Sequence, residues 1–147
     1  MRSAALPIVV LREHEGRCPC PAGGLFSTAT DCAIFCQMIL DGGVHAGKRY
    51  LSAAAIDQMT CKHTGDLLKA GGYGFGWQTQ RKAYGSNDPD DRGWFGHGGA
   101  YNTNLQIDPQ RGLITIFMMQ HAGFPDPTAK KKILPAFHQA AVKAFAR

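Results

Sequence analysis

The sequence predicts an α+β fold: an antiparallel sheet, a C-terminal helix packed on one of its faces, and short helices contributed by the N-terminal part. Three observations predict it. Gly72 to Trp77 alternates glycine and aromatic with a period of two, the pattern of a strand with one bulky and one bare face. Trp94 to Ile107 leads through Asp108-Pro109-Gln110-Arg111-Gly112 into the apolar run Leu113 to Met119, which reads as a strand, a hairpin turn and a buried strand. Capped helical stretches stand before and after these segments.

Taken in order, Pro21 to Thr28 is a loop that delivers a helix, with Ser27 or Thr28 as N-cap. Asp31 falls in its first turn, where a negative charge suits the helix N-terminus. The helix runs to about Leu40 and stops at Gly42-Gly43. Leu51 to Met59 is a second short helix, capped by Ser52. Strands are expected over 72–79, 94–107 and 113–120, adjacent and antiparallel, and Leu113 to Met119 is expected at the centre of the sheet because it is apolar on both faces. Arg81 to Gly93 is a surface loop by its turn chemistry, with the adjacent acids Asp90 and Asp91 solvated. A last helix starts at Asp126-Pro127 and carries the stripe Leu134, Phe137, Ala141 and Phe145. Pro135 lies inside it and should kink or restart it.

Composition narrows the function classes. The formal charge of +5 arises partly from Lys130-Lys131-Lys132, a run that reads as a solvated helix face. Aromatic and basic residues are not interleaved, so a nucleic-acid surface is not expected. No apolar segment approaches the roughly 20 residues of a membrane span. The opening Met1 to Val10 has a short apolar part, broken by Pro7 and followed by Arg12 to Glu15, so it is not expected to direct export. Five cysteines, an odd number, argue against a disulfide framework. Cys18, Cys20, Cys32 and Cys36 match zinc-ligand spacing poorly, and Cys32 and Cys36 stand one helical turn apart, as small buried hydrophobes do. His14, His45, His63, His121 and His138 show no metal spacing either. The glycines of 72–76 do not form a phosphate loop, because no helix follows them.

Two stretches carry a resemblance. Gly23-Gly24-Leu25-Phe26-Ser27-Thr28 with Asp31 and the closing Gly42-Gly43 is one; Trp94-Phe95-Gly96-His97-Gly98-Gly99-Ala100-Tyr101, followed by Ile107-Asp108-Pro109, is the other. Together they resemble the serine β-lactamase-like hydrolases, the superfamily of penicillin-binding proteins, class C β-lactamases and their esterase relatives. His97-Gly98-Gly99 is similar to the third conserved motif, which is Lys-Thr-Gly in β-lactamases and His or Trp followed by two small residues in esterase-like members. The similarity runs from about Pro19 to about Phe124. It implies residues 18–147 as the C-terminal part of a β-lactamase-like domain, after a lead-in over 1–17.

The resemblance also implies a site. A lone histidine ordinarily ends a strand and bonds a neighbouring loop; in this motif His97 would instead lie on an edge strand beside the nucleophile pocket, binding a substrate carbonyl or carboxylate or positioning protons. The Ala100 N–H would be an oxyanion donor. Gly98 and Gly99 would leave room for the substrate, and Tyr101, Asn102, Thr103 and Asn104 would either border it or serve as strand residues alternating with Leu105 and Ile107. The family's nucleophile lies in Ser-x-x-Lys, and none of Ser3, Ser27, Ser52 and Ser86 has a lysine three residues on. Tyr84-Gly85-Ser86, a loose second motif, stands too close to His97 and reads as part of a turn.

The implied function is the C-terminal portion of a serine hydrolase that cleaves ester or amide bonds by an acyl-enzyme route, supplying one wall and one oxyanion N–H but no nucleophile. Its partners would be a small-molecule ester or amide substrate and a complementing N-terminal half, with no cofactor or metal. Complete relatives are often exported. The rival is a non-catalytic binding or assembly module that works with a separate chain. In that family the sheet is completed by strands from near the N-terminus, so an unpaired strand edge and poorly covered Tyr73, Phe75, Trp77 and Phe95 are expected, with marginal stability as the consequence.

Overall fold

The computed structural model describes residues 26–69, 71–81, 93–121 and 129–145. The expected lead-in, Cys18 and Cys20, the Asp90-Asp91 loop and the Asp126-Pro127 helix start lie outside them.

Helix α1 (Ala29–Leu40) begins where the Thr28 Oγ1 accepts the Asp31 N–H at 3.1 Å and donates to the Asp31 carboxylate at 2.8 Å. The side chain thereby satisfies a donor that the first helical turn leaves without a partner. The helix ends at Gly42 and Gly43, both at positive φ, a backbone that returns the last amides to Ile39 and Met38. A small hairpin follows, β1 (Val44–His45) and β2 (Lys48–Arg49), and then α2 (Ala53–Thr60), whose cap Ser52 accepts the Ala55 N–H at 3.1 Å.

The main sheet holds β3 (Gly72–Tyr73), β4 (Gln78–Thr79), β5 (Phe95–Gly98), β6 (Asn104–Asp108) and β7 (Leu113–Phe117) in that order, every neighbour antiparallel. Two of the expected strands are hairpins instead. Over 72–79 the chain reverses between Gly74 and Trp77, joined by the Gly74 N–H to Trp77 carbonyl bond at 2.9 Å. Over 94–107 it reverses between Gly99 and Thr103, with the Gly99 N–H on the Thr103 carbonyl at 2.8 Å. The third turn is as expected: the Asp108 carboxylate accepts the N–H groups of Gln110 and Arg111 and pairs with the Arg111 side chain at 2.7 Å.

Register assigns the faces. Phe95 pairs with Ile107, His97 with Leu105, Ile107 with Ile114 and Leu105 with Ile116, which puts these side chains on one face. That face packs on Cys36 and Ile39 of α1 and Ile56 of α2, with Trp77 in the same core. Gly98, Asn104 and Phe117 share the other face with Gln106 and Thr115, and there α3 (Ala129–Phe145) lies against β7 through Phe137 on Phe117, ring centres 5.2 Å apart.

The sheet is therefore sandwiched between helices. β7 stands at the end of the sheet order, not in the centre as expected. Its residues are apolar on both sides because α1 lies over one face and α3 over the other, so burial comes from the layers above and below it. α3 runs on through Pro135, held beyond it by Phe137 and His138 on the sheet. Trp77 and Phe95, expected to lack cover, are 6% and 3% exposed, whereas Phe75 is exposed as expected. Arg81, paired with Asp57 and bonded to Thr60, ties the chain leaving β4 to α2.

Candidate functional site

The site grows from β5. Its first half is sheet interior: Phe95 and Gly96 pair with Thr79 and Gln78 on one side and with Ile107 and Gln106 on the other. The pairing with β4 ends there. His97 and Gly98 have partners on β6 alone, so the strand becomes an edge within its own length. The expected edge position of His97 holds for these two residues and not for the strand as a whole.

At this edge the His97 side chain is exposed, with Nδ1 2.7 Å from the Gly98 carbonyl and the ring set edge-on to Tyr73 at 5.9 Å. A carbonyl only accepts, so the neutral ring carries its proton on Nδ1 and leaves the Nε2 lone pair free for chemistry. Gly98 stands opposite Asn104, and a Cβ built on it would meet nothing closer than 3.6 Å. Gly99 is different: a Cβ there would overlap the Thr103 hydroxyl. The turn that follows is fixed by the Asn102 N–H on the Gly99 carbonyl at 3.1 Å, with Asn102 at φ 68°.

Ala100, at the tip of that turn, is exposed, and its N–H has no acceptor among the described residues. Tyr101 and Asn102 do other work. The Tyr101 carbonyl accepts the His121 N–H at 3.2 Å, and the Asn102 side chain, 6% exposed, donates to the His121 carbonyl at 2.7 Å. They pin the chain beyond β7 to the hairpin mouth.

Beside the mouth lies an open cleft of about 590 Å³, within the range of small-molecule sites. His97, Thr103, Asn104 and Leu105 form one wall, Met118 to Gln120 a second, and Phe26, Ser27 and Cys32 at the start of α1 a third. Of the residues that the sequence picks out, His97, Thr103 and Asn104 line it, whereas Gly98, Gly99, Ala100, Tyr101 and Asn102 do not. The third wall falls in the first of the two family-like stretches, where Ser27 and Cys32 read as a cap and a core thiol and not as site residues.

Cys32 and Cys36 are free thiols. Burial, with Cys32 one turn away, pushes the Cys36 thiol up to about 11, so it stays protonated and inert. Among the described residues no three His, Cys, Asp or Glu side chains gather to hold a metal, and no helix is long and apolar enough to cross a membrane.

Comparison with known proteins bears on this architecture. Residues 2–139 match the family model described as Beta-lactamase. Two mycobacterial proteins are similar: the "Uncharacterized protein MT1414" of Mycobacterium tuberculosis (strain CDC 1551 / Oshkosh) and "Protein Rv1367c" of Mycobacterium tuberculosis (strain ATCC 25618 / H37Rv). Each is 33% identical over 116 residues, which cover 67% of this chain and 28% of the relative. The chain thus spans just over a quarter of the length of these relatives. With an antiparallel sheet, a C-terminal helix and a family match over almost all its residues, the chain belongs to the Beta-lactamase family, within the β-lactamase-like serine hydrolases.

Proposed function

We propose that this chain forms the third-motif wall of an esterase-like serine hydrolase that cleaves ester or amide bonds through an acyl-enzyme, the nucleophilic serine coming from a segment outside these 147 residues. The observation that carries this reading is the end of β5, where His97 faces an open cleft and the Ala100 N–H has no acceptor among the described residues. In the reaction the serine oxygen adds to the substrate carbonyl carbon, and the C=O electron pair moves onto oxygen. The Ala100 N–H and the N–H of the nucleophile stabilise that charge. His97, with its proton held on Nδ1 by the Gly98 carbonyl, presents Nε2 as the acceptor for a proton or a substrate donor. Collapse expels the leaving group, and water then releases the acyl group.

The test pairs the chain with a segment of the same family that carries Ser-x-x-Lys. Alone, the chain turns over neither p-nitrophenyl butyrate nor a chromogenic cephalosporin and takes no fluorophosphonate label. Together, the serine of the added segment is labelled and the ester is hydrolysed. Ala100→Pro, which deletes the N–H, lowers kcat about 100-fold to 1,000-fold. Saturable turnover by the chain alone, abolished by mutating one of its four serines, overturns the reading. A mixture that binds but is neither labelled nor active replaces it with the assembly-module reading, which the exposed Phe26 and Met118 on the cleft also fit.

A further inference from the structure

The cleft beside β5 has a chemical character that all three of its walls share: among the described residues, no side chain lining it is charged. Its apolar part follows from register. Leu105 and Ile116 pair on the sheet face that turns toward α1, the face of His97. A strand returns to the same face every second residue, and the chain leaving β7 brings Met118 to the cleft two residues after Ile116. Across the opening stands Phe26, two residues before the Thr28 cap. Phe26 is 84% exposed and Met118 47% exposed, so both hold apolar area that an occupant would take out of water. Met118 and Met119 are unbranched and adapt to occupants of different shape.

The N-terminus of α1 is the one element here that would favour an anion, because its first backbone N–H groups lack helical partners. That field is already answered. The Thr28 Oγ1 accepts the Asp31 N–H and donates to the Asp31 carboxylate, and Asp31 adjoins Cys32 of the cleft wall, so the charge nearest in sequence to the cleft is negative. A carboxylate entering the cleft would lose hydration with no cation to replace it, whereas methylene groups gain by leaving water. We infer that the cleft takes the uncharged apolar chain of a carboxylic ester, with Phe26, Leu105 and Met118 as the surfaces that select it over a chain ending in a charge. This rests on the hydrolase reading above and adds a substrate class to it.

The experiment is an NMR titration of the intact chain with labelled methionine methyl groups. The probes are methyl butyrate, methyl hexanoate and monomethyl adipate, the last having the six-carbon acyl chain of methyl hexanoate ending in a carboxylate. The Met118 methyl should shift, and Kd should fall about two- to fourfold per added CH2, fourfold being the ~0.8 kcal/mol of a fully buried methylene. Monomethyl adipate should bind about tenfold more weakly than methyl hexanoate. Phe26→Ala and Met118→Ala should flatten the dependence on chain length, and Met118→Lys should bring monomethyl adipate level with methyl hexanoate or ahead of it. Both side chains are exposed, so these variants should keep the thermal unfolding of the parent chain. Equal affinity for methyl hexanoate and monomethyl adipate overturns the charge preference. Affinity indifferent to chain length overturns the apolar subsite, and a Met118 methyl silent to every ester gives this wall to the assembly-module reading. Binding that follows chain length in a chain that stays inactive beside the Ser-x-x-Lys segment would sink the hydrolase reading alone, so the two failures are distinguishable.

Discussion

The two halves of β5 differ more than many separate strands do. Phe95 and Gly96 are buried and paired on both sides; His97 and Gly98 are exposed and paired on one. The glycines differ in the same way. A Cβ on Gly96 would overlap the Leu105 backbone carbonyl, whereas one on Gly98 finds ordinary room. A single strand therefore serves as scaffold for two residues and as an open edge for the next two, and the change coincides with the end of β4. The buried half sets the position of the exposed half, which a loop-borne histidine would not share.

Substitution should separate the halves. Phe95→Ala, at a side chain 3% exposed in the main core, is expected to cost about 4 kcal/mol. Gly96→Ala must move the strand backbone and should cost about 3 kcal/mol. Gly98→Ala should cost less than about 1 kcal/mol, with any effect confined to ligand binding. Urea unfolding monitored by Trp fluorescence reads all three. Equal losses at the two glycines would dissolve the distinction.

The thiols under each half sharpen it. Cys36 packs in the core beneath Phe95, its thiol raised to about 11, while half-buried Cys32 lines the cleft. At pH 8 only about one in a thousand Cys36 thiols is ionised. Alkylation by iodoacetamide, followed by peptide mapping, should therefore modify Cys32 well before Cys36; the reverse order would place the opening on the wrong side of α1.

The smallest effect is with pH. His138 titrates below the ordinary histidine value of about 6.5 in the folded chain, so the unfolded chain binds the proton first. Its contribution is fully present above about pH 6.5 and is lost as pH falls toward the folded value. His138→Gln should flatten this part of the stability profile, as thermal unfolding between pH 5 and 8 would show. An unaltered profile would show that burial does not shift the titration of His138.

Much of this was legible in the sequence, and the misses have one physical root. Thr28, Asp31 and Gly42-Gly43 announced α1 because caps and stops act on their immediate neighbours. Ser52 did the same for α2. The Asp108 to Gly112 turn was equally local. The hairpins inside 72–79 and 94–107 were hidden, since a period of two continues on either side of a tight turn and the turn itself used Asn102 and glycines already credited to the strand. β7 was set in the middle of the sheet because apolarity on both faces reports helices above and below as readily as strands on either side. The motif expected His97 at a strand edge beside an open cleft, and the structure has it there. The Ser27 and Cys32 wall arrives from about 70 positions earlier in the chain, and the His138 contact from about 35 later, distances that no local pattern encodes.

Gly99 has a consequence for how such a wall diverges. The obstacle to a larger residue there is the end of the Thr103 side chain, which can itself be exchanged, whereas at Gly96 it is main chain that every sequence must keep. Gly99→Ala should be poorly accepted alone and well accepted with Thr103→Ala, a coupled pair whose effects are not additive. Relatives can therefore remodel the mouth of the cleft by paired exchanges between positions 99 and 103 while position 96 stays fixed, so that the rim drifts in sequence over an unchanging strand.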